Sequence, residues 1–180
     1  MIVRAFQEMD MIVTLIFLLF PLCLVLAALT DLLEMTIPNP IPLALVVGFL
    51  VIAPFIGLTW TAFGWHLAAS LTVFVVCFVL FALGVMGGGD AKLLTAAALW
   101  FGFDMSLLGF LIYVSYLGGI LTILLLVLRA RAETVMALNL PLPNSLLTAK
   151  KVPYGIAIGA AGLIAYPQSP IVLWAVSALQ

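Results

Sequence analysis

Residues 11–30 read MIVTLIFLLFPLCLVLAALT, a run without a single acidic or basic side chain. A helix rises about 1.5 Å per residue, so a run of this length matches the ~30 Å hydrocarbon core of a bilayer. It has company along the chain. Further apolar runs occupy 41–58, 65–83, 84–103, 107–128 and 152–179. The chain as a whole is 67% apolar and 7% charged, against roughly 25% charged residues in a soluble domain. Six Lys plus Arg and seven Asp plus Glu cannot coat a body of 180 residues in water. The reading is an all-α, polytopic membrane protein with about six transmembrane helices, forming a single membrane-embedded domain over residues 1–180 with a loop at 129–151. Two runs are irregular: 84–103 begins in glycines and shortens to 91–103 if its helix starts after them, and Pro167 interrupts the last. Glu8 and Asp10 spoil the basic leading region of a secretory signal, so the first helix is expected to be retained.

The net charge of -1 provides no basic field for nucleic acid. Cys23 and Cys77 sit inside apolar runs and read as small buried hydrophobes, neither a zinc site nor a disulfide scaffold. No metal ligand set and no cofactor motif emerges. Short loops rich in Lys and Arg stay cytoplasmic. With six spans, Lys92, Arg129, Arg131, Lys150 and Lys151 share one side and Arg4 alone takes the other. Both termini are thus expected outside the cytoplasm. Trp60, Trp65 and the single histidine, His66, are expected as interfacial side chains at the outer boundary. The segment from Arg129 to Lys151, with its leucines broken by Pro141 and Pro143, is expected to lie on the membrane surface. Lys150 and Lys151 there can meet anionic lipid headgroups at about 1 kcal/mol each.

Glu8, Asp10, Asp104 and Glu133 fall in outer or loop segments, which leaves Asp31, Glu34 and Asp90. Asp31 ends the first span and Asp90 opens the fourth, so the topology puts both at the cytoplasmic boundary. An acid at membrane depth costs about 2.5–3.5 kcal/mol, which makes such a pair a functional-site candidate. The plain alternative for Asp90 is a helix N-cap, with Lys92 snorkelling to the interface. Against that stands the run Gly87, Gly88, Gly89 just before it, since each glycine costs about 1 kcal/mol in a helix relative to alanine. Glycines allow an extended segment to approach a catalytic acid closely. After Asp31, Ile37, Pro38 and Asn39 are expected to end the helix and set the turn at its exit. Glu34, three residues on, shares the face of Asp31 if the helix continues, as an interfacial acid or as an attractor for a basic substrate. Gly155 and Gly159 form a Gly-x-x-x-Gly packing face.

Asp31 with Ile37-Pro38-Asn39, Gly87-Gly88-Gly89-Asp90, and the entry Lys151-Val152-Pro153-Tyr154-Gly155 together resemble the prepilin peptidases, GxGD-type membrane aspartyl proteases. The similarity in order and spacing runs from about residue 11 to 166. It is greatest to the short enzymes of tight-adherence (Flp) pili. The first cytoplasmic loop is about ten residues and free of cysteine, whereas longer members carry a cysteine-paired domain associated with N-methylation. The resemblance therefore implies peptidase activity without methyl transfer by this chain. Presenilin-like proteins share the GxGD element, but here Thr30 precedes Asp31 and no Pro-Ala-Leu occurs.

What the resemblance implies is removal of a short basic leader from a prepilin at the cytoplasmic face of the bacterial inner membrane. Asp31 and Asp90 would be the catalytic pair, and Gly87, Gly88, Gly89, Glu34, Pro38 and Asn39 would shape the site or contact substrate. Two carboxyls about 5 Å apart at an effective dielectric near 20 repel by on the order of 3 kcal/mol, so one proton is shared between them. The ionised member can activate a water and the protonated one can polarise the scissile carbonyl. The rival readings are a small proton-coupled transporter or channel, and a non-catalytic assembly subunit of a pilus or secretion machine. Both acids map to one boundary and no internal repeat is evident, which argues against the transporter. The non-catalytic subunit predicts that neutral substitutions of the aspartates are tolerated.

Overall fold

A backbone in hydrocarbon must satisfy its N–H and C=O groups internally, and a helix does so within one segment. The computed structural model describes residues 2–131 and 152–180, with side chains from residue 9 onward. Among these residues the chain forms helices and no strands: α1 (Ile2–Glu34), α2 (Pro40–Phe55), α3 (Trp60–Ala82), α4 (Gly88–Phe101), α5 (Met105–Ala130), α6 (Tyr154–Ala165), a 3-10 turn (Tyr166–Gln168) and α7 (Pro170–Ala178). Lys150, Lys151, Glu133 and the rest of the expected surface segment from residue 132 on lie outside the described residues, while Arg129 and Arg131 stand at the end of α5.

Three helices are long and apolar enough to cross a bilayer alone, over Met9–Glu34, Trp60–Ala82 and Met105–Ala130. The final helices form a fourth candidate bent by 47°, Tyr154–Gln168 followed by Pro170–Ala178. The break falls where Pro167 cannot donate to the ladder, and Ser169 restarts the chain by accepting from the Val172 N–H. At 16 and 14 residues, α2 and α4 fall short of the ~20 that a crossing needs. Length and composition thus give three crossings, or four with the bent pair as one, where the sequence reading placed six.

The position of α4 accounts for its length. From Leu93 to Phe101 every residue except Thr95 is buried, against α2, α3 and α6. A helix walled by its neighbours does not have to reach both headgroup layers. It begins at Gly88 and not at residue 84, because Leu83 to Gly87 form a turn instead of a further helical turn. The outer helices show the reverse pattern: Leu18, Leu71 and Ile123 are each at least 60% exposed, apolar surface of the kind a hydrocarbon core accommodates.

Aromatic rings fill the core towards the end of α4. Phe20 stacks on Tyr166 with centroids 4.1 Å apart, and Phe101 on Phe110 at 4.7 Å. The Trp100 indole N–H donates to the Leu45 carbonyl at 3.0 Å, and the Tyr166 hydroxyl to the Ile16 carbonyl at 2.8 Å. Cys23 and Cys77 are buried and unpaired with each other. His66 departs from the interfacial expectation. It is 4% exposed, with Nδ1 2.7 Å from the Leu99 carbonyl oxygen. A carbonyl only accepts, so that nitrogen carries the proton, and the bond compensates a buried ring that an interfacial one would not need. Trp60 and Trp65 do remain exposed.

Candidate active site

Asp31 sits in the last turn of α1 and is only 5% exposed. A carboxyl that deep needs a partner, and the entry of α6 supplies it. The Gly155 backbone N–H, left without an intrahelical acceptor by its position in the first turn, donates to Asp31 Oδ2 at 2.6 Å. A glycine is required there for space. A Cβ at position 155 would stand 2.8 Å from both Cβ and Oδ2 of Asp31. Gly159, one turn on, would meet the Leu24 carbonyl at 3.0 Å, so the Gly-x-x-x-Gly face is the surface on which α6 lies against α1.

The helix carrying Asp31 ends before Pro38 comes into play, which corrects the expected role of that proline. Met35 takes φ 54, a left-handed conformation that stops the α1 ladder after Glu34, and its N–H closes on the Asp31 carbonyl at 3.0 Å. Pro38 instead lies in the short connector to α2, where its carbonyl accepts from Ile41. Glu34, three residues past Asp31, is exposed while Asp31 is buried.

Asp90 is the third residue of α4 and not its N-cap, which is Gly87. Each of the three preceding glycines faces a different neighbour. A Cβ on Gly87 would stand 2.8 Å from Asp90 Oδ2, one on Gly88 3.3 Å from the Phe81 ring, and one on Gly89 3.2 Å from Ile37 Cβ. The run is thus a close approach on three sides. The Ile37 contact lays the α1–α2 connector across the first turn of α4. Lys92 fixes the same junction, donating to Asn39 Oδ1 at 2.9 Å where the sequence suggested a snorkelling lysine.

The two acidic elements meet again at Tyr154. Its residue neighbour Gly155 holds Asp31, and Tyr154 itself lines, with Asp90, a cavity of about 450 Å³. The Thr122 hydroxyl donates to the Gly118 carbonyl at 2.7 Å, so the Tyr154 hydroxyl donates to Thr122 Oγ1 at 3.2 Å. Gly118 leaves the room the ring occupies, since a Cβ there would come within 2.6 Å of it. The structure therefore brings Asp31, Asp90, Gly87, Gly88, Gly89, Ile37 and Asn39 to one end of the bundle and leaves Glu34 on its outside. Sequence reasoning missed Tyr154 and Gly155 as parts of the site. Their signal was the Val152-Pro153-Tyr154-Gly155 entry, legible as a helix start but not as a hydrogen-bond donor.

Two carboxyls at one end of an apolar bundle, one of them beside an open cavity, can divide proton donation and acceptance around a bound peptide. No curated protein and no solved structure matches the chain. Residues 18–123, which include both aspartates and the glycine run, match the type IV leader peptidase family. That match covers more than half of the chain, and the protein is a multi-pass membrane aspartic peptidase belonging to the type IV leader peptidase family.

Proposed function

We propose that this peptidase removes the leader of an Flp-type prepilin at the cytoplasmic face of the bacterial inner membrane, with Asp31 and Asp90 as its catalytic pair. The observation that carries this reading is the convergence at the α6 entry, where consecutive residues hold Asp31 and flank Asp90. One proton is shared across the pair. The ionised carboxylate takes a proton from water as the water oxygen bonds to the scissile carbonyl carbon, and the protonated carboxyl gives its proton to the carbonyl oxygen. Collapse of the tetrahedral intermediate breaks the C–N bond: the amine leaves with the proton taken from water, and a hydroxyl proton of the intermediate returns to the other aspartate as the product carbonyl re-forms. The Gly155 N–H holds one Asp31 oxygen fixed through these steps.

The subtype and the orientation rest on sequence. The α1–α2 connector spans only Met35–Asn39, which supports a chain without the methylating insertion found in longer members. Under the six-span reading of the sequence, five of the six Lys and Arg are assigned to the Asp31 side, which supports a cytoplasmic site and termini on the other side. Lys150 and Lys151 would meet anionic lipid there.

The test is co-expression with an Flp-type prepilin, comparing the wild type with Asp31→Asn and Asp90→Asn at equal membrane levels. Each variant is expected to lose leader removal by ~10²–10⁴-fold. Leader removal that persists in either one would sink the two-aspartate mechanism. A cysteine introduced near Arg131 should resist an impermeant reagent added from outside, and labelling would reverse the orientation.

A further inference from the structure

Both α2 and α3 pack on α4 and scarcely on each other, which leaves a cleft of about 720 Å³ between them. Leu43 and Val46 of α2 form one wall, Phe74, Phe78 and Phe81 of α3 the other, and Ala96 of α4 lies in the floor. The three rings are each about half exposed, so the cleft opens sideways from the bundle, towards hydrocarbon. A second cavity of about 410 Å³ begins at the same Phe74 and Thr95 and reaches Leu67. From Phe81 to Leu67 the two run ~20 Å along α3, enough to follow a lipid chain through its half of the ~30 Å core. The aspartate end of the cleft is polar. Lys92 and Asn39 line it there, and the exposed Lys92 ammonium gives one of its three donors to the neutral Asn39 Oδ1 at 2.9 Å. One turn further along α4, about 4.5 Å deeper, Thr95 also lines the cleft, and its buried hydroxyl has no hydrogen-bond partner among the described residues.

We infer that this cleft binds one anionic phospholipid from the leaflet on the aspartate side, with its phosphate on the remaining donors of Lys92 and an acyl chain lying along α3. The order of chemistry along the cleft is the order along such a molecule. A cation stands at the level of the phosphate, a hydroxyl without a partner stands at the level of the glycerol esters, and rings and branched side chains follow at the level of the chain. A free anion has no use for a long apolar wall. An apolar peptide helix, about 10 Å across, brings no negative charge to Lys92. The bound phosphate also reaches the site, because Lys92 and Asn39 join the α1–α2 connector to the first turn of α4, two residues from Asp90. Lipid in the cleft therefore adds a tie at that junction. Binding is read without cleavage, so it stands or falls apart from the peptidase reading.

The experiment titrates the full-length protein in detergent with phosphatidylglycerol, phosphatidylcholine or a diacylglycerol of the same chains, and counts retained lipid by native mass spectrometry. Inorganic phosphate is added as a competitor. The wild type is expected to retain one phosphatidylglycerol, with an apparent affinity at least about fivefold above that for the two uncharged lipids, and inorganic phosphate should not displace it. Lys92→Gln keeps a donor for Asn39 and loses the charge, which should lower the affinity for phosphatidylglycerol about fivefold. Leu43 is 62% exposed at the rim, so Leu43→Trp is expected to fill the cleft and abolish the retained lipid. Phe78→Trp fills it from the opposite wall and repeats the test if Leu43→Trp fails to fold. Equal retention of all three lipids, unchanged in Lys92→Gln and in a folded Trp variant, would mean annular lipid only and overturns the site. Displacement by inorganic phosphate assigns Lys92 to a soluble anion and overturns it too. Displacement by the apolar helix of a prepilin, with no dependence on Lys92, makes the cleft a peptide dock and overturns the lipid.

Discussion

At the end of α4 away from the aspartates, large rings lock the helices together: Phe20 lies between Tyr166 at 4.1 Å and Trp100 at 5.3 Å, and Trp100 is fully buried. At the aspartate end the contacts are backbone against side chain, made by Gly87, Gly88, Gly89, Gly118 and Gly155. Both ends are tightly packed, but they use opposite means. Aromatic packing derives its strength from buried area and fixes the helices relative to one another. Glycine packing contributes little area and permits close approach, which places an N–H 2.6 Å from a buried carboxyl. The bundle is thus held at one end so that a site of small residues can keep its geometry at the other. Trp100→Ala attacks the first half of that comparison. It should cost about 3–5 kcal/mol of stability, read as a large drop in the melting temperature in detergent, while the protein that remains folded still cuts its substrate. If cleavage per folded molecule vanished as well, the two ends would not be separable.

Gly155→Ala attacks the other half. The added methyl has to push Asp31 or α6 aside, since it would stand 2.8 Å from Asp31 Cβ. A hydrogen bond to a charged group is worth about 1.5–3 kcal/mol, so its loss should lower kcat/KM by ~10–100-fold. Melting should change far less than in Trp100→Ala. A variant that melts early but cleaves normally would show position 155 to be packing alone.

How much of this was legible beforehand differs between the same two regions. Asp31, Asp90 and the three glycines stand out in sequence because polar and helix-weakening residues are scarce among apolar ones. Their partners do not. Gly155 acts through its backbone N–H, which every residue but proline carries, so only the three-dimensional path of α6 reveals it. His66 misled for a related reason: position near a helix start suggested an interface, but the acceptor that allows its burial, the Leu99 carbonyl, comes from a different helix. The shortness of α4 was legible in part, because the run at 84–103 shrinks to 91–103 if its helix starts after the glycines, yet that it is the central helix depends on which neighbours surround it. Hydropathy reports which segments are apolar and not whether lipid or protein covers them.

Tyr166→Phe is a finer probe of the locked end. It keeps the ring on Phe20 and removes the hydroxyl that donates to the Ile16 carbonyl. The expected cost is about 1 kcal/mol, with unchanged cleavage. A cost as large as that of Trp100→Ala would mean that hydrogen bonding, and not ring packing, holds that end.

The smallest effect sits at the exit of α1 and has the opposite sign. Met35 is the one non-glycine residue with positive φ among those described, at 54°. A side chain in that region costs roughly 1–2 kcal/mol, whereas glycine adopts it freely and gives up about 0.5–1 kcal/mol through the flexibility of the unfolded chain. Met35→Gly should therefore stabilise the protein by about 0.5–1 kcal/mol, seen as a small rise in melting temperature. The natural methionine keeps the strained turn, whose N–H closes on the carbonyl of Asp31. If that turn only terminates a helix, cleavage in the glycine variant stays at the wild-type level. If methionine there helps to keep the Asp31 backbone in place, the stabilised variant cuts more slowly, and the aspartate end would be held by strain as well as by close approach.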